Sequence, residues 1–387
     1  MPALLPDVDP DGLLEYSVVY TDRALNHMSQ RFQRVMRDVS AMLREAYGAQ
    51  AAVVVPGSGS FAMESVARQF VQGQRVLIVR NGWFSYRWSQ IIDMGRLSDS
   101  VTVLKAQRQG DGVEAPFAPP SIDAVVDAVR RERPAVVFAP HVETSAGMLL
   151  PDAYLKRLAD AAHEVDALFV LDCIASGAAW VDMRAIGVDV LVSAPQKGWS
   201  ATPCAGFAML SQRALARLET TTSSSFVCDL KKWHQIMQAY ENGGHAYHAT
   251  MPTDGLVHVR DAMLEAFAFG LPKLQAAQFE LGAAVRASLA RRGVASVAAR
   301  GFEAPGVVVA YTGDADIQNT RRFAAAGVQI AAGVPLACDE GDAFRTFRLG
   351  LFGLDKLKDV AGAVQRIEAA FDAVGLSAPA QPLAASA

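Results

Sequence analysis

The chain has only four cysteines, Cys173, Cys204, Cys228 and Cys338, and no two of them form a Cys-x-x-Cys pair. That spacing offers neither a disulfide framework nor a thiolate metal cluster, and a reduced, cytoplasmic compartment is the simplest expectation. A basic block is also missing. The formal net charge of −4, with no Lys/Arg-rich helix, leaves no electrostatic footprint for nucleic acid or an anionic membrane surface. No apolar run approaches the roughly 20 residues that span a bilayer. The opening Met1-Pro2-Ala3-Leu4-Leu5-Pro6-Asp7 has no basic n-region and no apolar h-region, so no secretory signal is expected.

What is present is an ordinary globular composition, 51% apolar and 20% charged over 387 residues, long enough for two domains. Short apolar runs at 51–55, 75–79, 135–139, 167–172, 188–192 and 206–210 alternate with helical periodicity over 29–47, 61–71, 122–132 and 153–165. Buried strands alternating with helices predict an α/β domain with a mostly parallel sheet covered on both faces. From about Thr253 the pattern changes. A long helical stretch over 256–290, with a break at Gly270-Leu271-Pro272, precedes a strand at 307–311, a helix at 316–325, a strand near 344–351 and a final helix over 355–374. This predicts an N-terminal segment (1–25), a large domain (26–255), a smaller C-terminal α+β domain (256–375) and a frayed Ala/Pro-rich tail (376–387).

The most informative stretch is Ser193-Ala194-Pro195-Gln196-Lys197-Gly198, entered from an apolar strand. A lysine just past a buried strand is either solvated at a cleft rim or chemically active there, because burial lowers its proton affinity and frees the amine for a carbonyl. Upstream, the strand Ala167-Leu168-Phe169-Val170-Leu171-Asp172 ends in a carboxylate. An amine and an acid delivered to one rim by neighbouring strands fit a pyridoxal phosphate site, which needs an amine for the aldehyde and a carboxylate for the pyridinium nitrogen. Asp172 is alternatively a strand-end residue that caps its own turn.

Gly57-Ser58-Gly59-Ser60 lies between a strand and a helix, where glycines admit a phosphate to backbone amides and the helix terminus favours an anion. The plainer alternative is a tight turn with Ser60 as cap. The stretch also fits Gly-x-Gly-x-x-Ala of a dinucleotide fold, but Arg80 stands where the ribose-binding acid belongs, so only a 2′-phosphate version survives. Arg348, inside the apolar Phe347-Arg348-Leu349-Gly350-Leu351, needs an anion: Asp342 if its role is structural, a substrate carboxylate if it is functional. His245 and His248 lack a third ligand nearby, and no metal is expected.

Taken together, these motifs resemble the class V (subgroup IV) pyridoxal-phosphate aminotransferases of fold type I, in particular the alanine/serine–glyoxylate and pyruvate aminotransferase group. The likeness runs from about Asn26 to Val374. It rests on His27-Met28-Ser29-Gln30-Arg31-Phe32, Gly57-Ser58-Gly59-Ser60, Asn81-Gly82-Trp83-Phe84, His141-Val142-Glu143-Thr144-Ser145-Ala146-Gly147, Asp172-Cys173-Ile174-Ala175-Ser176, Gln196-Lys197, Tyr247-His248-Ala249-Thr250-Met251-Pro252 and Phe347-Arg348-Leu349-Gly350, in that order. The resemblance implies a seven-stranded, mostly parallel sheet between helices. It implies Lys197 as the Schiff-base lysine and Asp172 as the ring-nitrogen partner. Ser58, Gly59, Ser60 and Gln196 would hold the phosphate, Phe84 would stack on the ring, and Thr144 would meet the phenolic oxygen. Arg348 would clamp the substrate carboxylate. Tyr247 and Thr250 would reach the phosphate in a second subunit, hence a homodimer with shared sites. The implied reaction passes an amino group from a small amino acid to glyoxylate or pyruvate by ping-pong exchange.

One segment departs from the family. Leu14-Glu15-Tyr16-Ser17 stands where a Gly-Pro-Gly-type segment usually lines the substrate pocket, and Glu15 and Tyr16 are expected to add polarity there. Three other readings stay open: a 2-aminoethylphosphonate–pyruvate transaminase, a lyase or cysteine desulfurase using Cys338, and a non-catalytic cofactor-binding protein. Asp339 and Glu340 beside Cys338 are expected to raise its thiol pKa and blunt it.

Overall fold

The structure, a computed structural model, describes residues 7–376. Part of the expected N-terminal segment and nearly all of the expected tail therefore lie outside the described residues. The main sheet contains β1 (Ala51–Pro56), β2 (Val76–Arg80), β3 (Val101–Lys105), β4 (Val136–Pro140), β5 (Leu168–Asp172), β6 (Val190–Ser193) and β7 (Ala205–Leu210). Their order across the sheet is β1-β7-β6-β5-β4-β2-β3. Strand β7 is antiparallel to both neighbours, and every other pairing is parallel. All but β3 are almost continuously buried, which is what Val/Leu/Ala-rich runs become when helices cover both faces. Strand β3 is the half-exposed edge, with too few core-facing residues to stand out in the sequence.

Each early helix follows local rules. Helix α1 (Gln30–Tyr47) is capped by Ser29, which accepts from the Phe32 amide. It buries Phe32, Val35, Met36, Val39 and Leu43, spaced three and four apart. Helix α2 (Gly59–Phe70) starts directly after β1, and α3 (Trp83–Met94) directly after β2. The expected long helix is two, Thr253–Phe269 and Leu271–Arg291, divided at Gly270 as the sequence predicts.

A second sheet, of β8 (Val307–Tyr311), β9 (Ala331–Ala332) and β10 (Thr346–Gly350), is antiparallel in the order β8-β10-β9. The expected helix at 316–325 is instead two short turns, Ala315–Gln318 and Arg321–Ala325. Thr320 between them takes a left-handed backbone conformation (φ 75°), which a continuous helix cannot contain. The expected final helix is also split: Asp359 caps the Gly362 amide and opens Val360–Ala373. Among the described residues, no helix is long and apolar enough to cross a membrane.

Candidate active site

The carboxyl ends of the parallel strands converge on one rim, where open α/β sheets place their ligands. Strand β1 leads into Gly57, whose positive φ of 118° lets the chain turn sharply into α2. Helix α2 has no side-chain cap, and its first two amides, of Gly59 and Ser60, meet no acceptor among the described residues. Strand β5 ends at Asp172, whose Oδ1 accepts from the Ile174 amide at 2.9 Å while Oδ2 takes no such bond. Beyond β6, Lys197 sits in a tightly wound loop. Gly198 has no room for a side chain, since a Cβ there would lie 2.1 Å from the Gly177 carbonyl oxygen.

These elements enclose a cavity of about 330 Å³. Ser58, Gly59 and Ser60 line it at the end of α2, with Phe84 and Thr144 on neighbouring loops. Asp172, Gln196 and Lys197 line it from the main sheet, and Arg348 from the small one. Nine of the residues singled out in the sequence thus share one space. Tyr247 and Thr250 do not line it. They pair with each other, hydroxyl to hydroxyl at 3.2 Å, and the Tyr247 side chain is exposed. Glu15 and Tyr16 are also elsewhere: in this chain they line a separate cleft, where the Glu15 carboxylate accepts from the Ser17 amide and the Asn26 side chain. The expectation that they flank the substrate is not met within one chain.

Burial sets the electrostatics. It pushes the Asp172 carboxyl up to about 7, and nearby Glu143 adds to the rise. Burial, then the charge of Arg348, lowers the proton affinity of Lys197. The Lys197 ammonium faces the Phe352 ring at 5.3 Å and has no anionic partner among the described residues. Arg348 does not pair with Asp342. Its Nε donates to the Ala332 carbonyl at 2.8 Å, and its guanidinium lies 5.6 Å from the Phe84 ring centre, leaving the outer fork free toward the cavity. Gln196 Oε1 is buried without a donor.

Three roles were not visible in the sequence. Glu143, fully buried, accepts from the amides of Phe84, Ser85 and Ser145 and from the hydroxyls of Ser85 and Ser145. It therefore caps α3 from the loop after the neighbouring strand β4 and fixes the turn that carries Phe84. His141, held neutral by burial that lowers its pKa to about 4, meets Ser176 Oγ at 2.7 Å and joins the two loops flanking Asp172. Arg87, on the first turns of α3, also lines the cavity.

The dinucleotide alternative fails on topology. Strand β1 pairs with β7, not with β2. Arg80 turns away to Ser89, the Ala337 carbonyl and the Tyr86 ring. Cys338 is buried, its thiol pushed up to about 12 chiefly by that burial, with Glu143 and Glu340 adding to the rise. Burial thus does most of what the sequence assigned to neighbouring acids.

Residues 12–337 match the family Aminotransferase class-V. The chain is a class-V aminotransferase. A 2-aminoethylphosphonate–pyruvate transaminase of Burkholderia mallei is 30% identical to it, over 89% of this chain and 90% of the relative. A protein of Synechococcus sp. described as a soluble hydrogenase small subunit is 26% identical over 91% and 88%. Among solved structures, an alanine–glyoxylate aminotransferase from Nostoc sp. superposes with a TM-score of 0.75 at 22% identity, covering 90% of this chain and 88% of its own. That likeness shows the shared fold. Membership of the class-V family implies that the aminotransferase depends on pyridoxal phosphate.

Proposed function

We propose that this aminotransferase moves an amino group from a small amino acid such as alanine or serine to glyoxylate or pyruvate. The observation that carries the proposal is Arg348: a guanidinium that pairs with no anion among the described residues, in the same cavity as Lys197 and Asp172. A half-buried fork of that kind matches an α-carboxylate bidentately.

The cavity suits pyridoxal phosphate because its polar groups lack partners: the open amides of α2, the Asp172 Oδ2, the Lys197 amine and the Gln196 side chain. When bound, the cofactor supplies an aldehyde and an electron-withdrawing ring that acidifies the α-C–H of an attached amine. Lys197, its proton affinity lowered by burial, would supply the amine for the aldehyde and, as a free amine, would take and return the substrate's α-proton at Nζ. Asp172 would hold the ring nitrogen in its protonated form. Ser58, Gly59, Ser60 and Gln196 would hold the phosphate, Phe84 would cover the ring and Thr144 would meet its phenolic oxygen. Arg348 aligns the α-carbon by holding the carboxylate.

On this reading residues 26–255 form the cofactor-binding domain and 256–375 the smaller one. Tyr247 and Thr250, outside the cavity of their own chain, serve the phosphate of a second subunit in a homodimer with shared sites. Four free cysteines fit a cytoplasmic location. The test is a panel of amino donors followed by absorbance of the bound chromophore, then glyoxylate or pyruvate as acceptor. Lys197→Ala must abolish turnover, and a variant running at the parent rate ends the assignment.

A second reading is favoured by the Burkholderia relative: 2-aminoethylphosphonate as donor and pyruvate as acceptor, with Arg348 holding the phosphonate. The same panel separates the two. A desulfurase is disfavoured by the burial of Cys338, whose thiol lies 3.4 Å from the Arg80 carbonyl oxygen.

A further inference from the structure

Two positive features meet at one corner of the cavity. One is the amino end of α2, a 12-residue helix whose Gly59 and Ser60 amides meet no acceptor among the described residues. The other is Arg87, whose Nη1 donates to Ser60 Oγ at 2.9 Å and whose guanidinium carbon lies 5.1 Å from the Phe84 ring centre. Among the described residues Arg87 joins no ion pair, although many other arginines do. A cation held at a helix amino terminus opposes the helix dipole. The arrangement is favourable once an anion sits between the amides and the guanidinium.

We propose that Arg87 is a ligand of the cofactor phosphate, closing from the α3 side the anion site that Gly59 and Ser60 open from the α2 side. This rests on the reading that the cavity binds pyridoxal phosphate. Phosphate is the anion the position selects, because Ser58, Gly59 and Ser60 all border it, whereas the carboxylate clamp, Arg348, enters from the small sheet. The planar guanidinium donates to two phosphate oxygens at once, while the Ser60 hydroxyl keeps it turned inward. The Phe84 ring carries the Arg87 guanidinium over its face at 5.1 Å, which helps hold that side chain in the cavity wall.

The experiment compares two aldehydes on the resolved apoprotein: pyridoxal phosphate, and pyridoxal, which has the same ring without the phosphate. Inorganic phosphate serves as a competitor, and dissociation constants are read from absorbance titrations. Arg87→Gln is expected to weaken pyridoxal phosphate about 10- to 100-fold, the range of a charge-assisted contact. Pyridoxal should change by less than about twofold, and competition by inorganic phosphate should fade. Arg87→Lys should recover part of the loss.

Equal losses for both aldehydes, or none for pyridoxal phosphate, overturn the proposal. A changed KM for the amino donor with cofactor affinity intact also overturns it, and gives Arg87 to the substrate. If Arg87→Gln does not fold, Arg87→Lys decides by the same comparison. A parent protein that binds neither aldehyde overturns the cofactor reading itself and is told apart by that control.

Discussion

Glu143 and Ser85 are joined twice: Glu143 Oε2 accepts from the Ser85 amide at 2.9 Å and from the Ser85 hydroxyl at 2.7 Å. The two residues lie 58 positions apart, on the loop after β4 and the first turn of α3. The carboxylate's other oxygen holds Phe84 and Ser145. A buried carboxylate is tolerated here because five donors replace its water.

Glu143→Gln should accordingly be costly. The amide keeps one acceptor oxygen and brings an NH2 group that faces donors. A loss of about 2–4 kcal/mol is expected, as for breaking a buried charged network. Urea melts of the apoprotein measure it, and a stability within 0.5 kcal/mol of the parent would show that the network is not what holds the turn.

Asp172→Asn should stabilise the apoprotein and impair the enzyme. Burial holds the Asp172 carboxyl at about 7 when folded, against an ordinary 3.8. Below about pH 3 it is protonated in both states and costs nothing. As pH rises toward 7 the unfolded chain ionises first, so stability is lost, and above 7 the penalty is complete. The asparagine variant should therefore gain roughly 2–4 kcal/mol at pH 8 and almost nothing at pH 3. Transamination should fall about 100-fold or more, the scale of losing one preorganised electrostatic contact. Melts at the two pH values, with rates beside them, check both halves.

Arg348→Gln should raise KM about 10- to 100-fold for donors that carry an α-carboxylate, because a bidentate charged contact is lost. Cofactor affinity should hold, and stability should change little, since no ion pair is broken. A KM unchanged across all carboxylate donors would remove Arg348 from substrate binding.

Cys338→Ser should keep activity within about twofold and release no sulfide from cysteine. With a thiol near 12, only about one molecule in 10⁴ is thiolate at pH 8. Alkylation of this residue should therefore be slow in the native protein and fast after unfolding. Sulfide release that disappears in the serine variant would reopen the lyase reading.

Lys197, Asp172, Arg348 and the Ser58–Ser60 turn were legible because each is a charge or glycine pattern placed against a buried strand, an anomaly that one chain displays by itself. Helix α3 was not. Its residues, Trp83 to Met94, mix aromatic and polar types, and its cap comes from Glu143, beyond the neighbouring strand rather than next in sequence. With the helix unread, Arg87 had no place to point. Strand β3 escaped notice because an edge strand needs few apolar residues. Tyr247, Thr250, Glu15 and Tyr16 lie outside the cavity, and no local sequence pattern encodes where such loop residues settle.

Arg286 ties the small sheet to the loop that carries Thr144. Its guanidinium donates both to the Val307 carbonyl on β8 and to the Gly147 carbonyl at the end of the His141–Gly147 loop. The Ala304 amide reaches the same Gly147 oxygen at 2.8 Å. The Gly147 carbonyl is thus a mechanical fulcrum. A tilt of the lobe bearing Arg348 would tug on the peptide three residues past Thr144, which on the proposed reading couples carboxylate grip to ring contact as one lever.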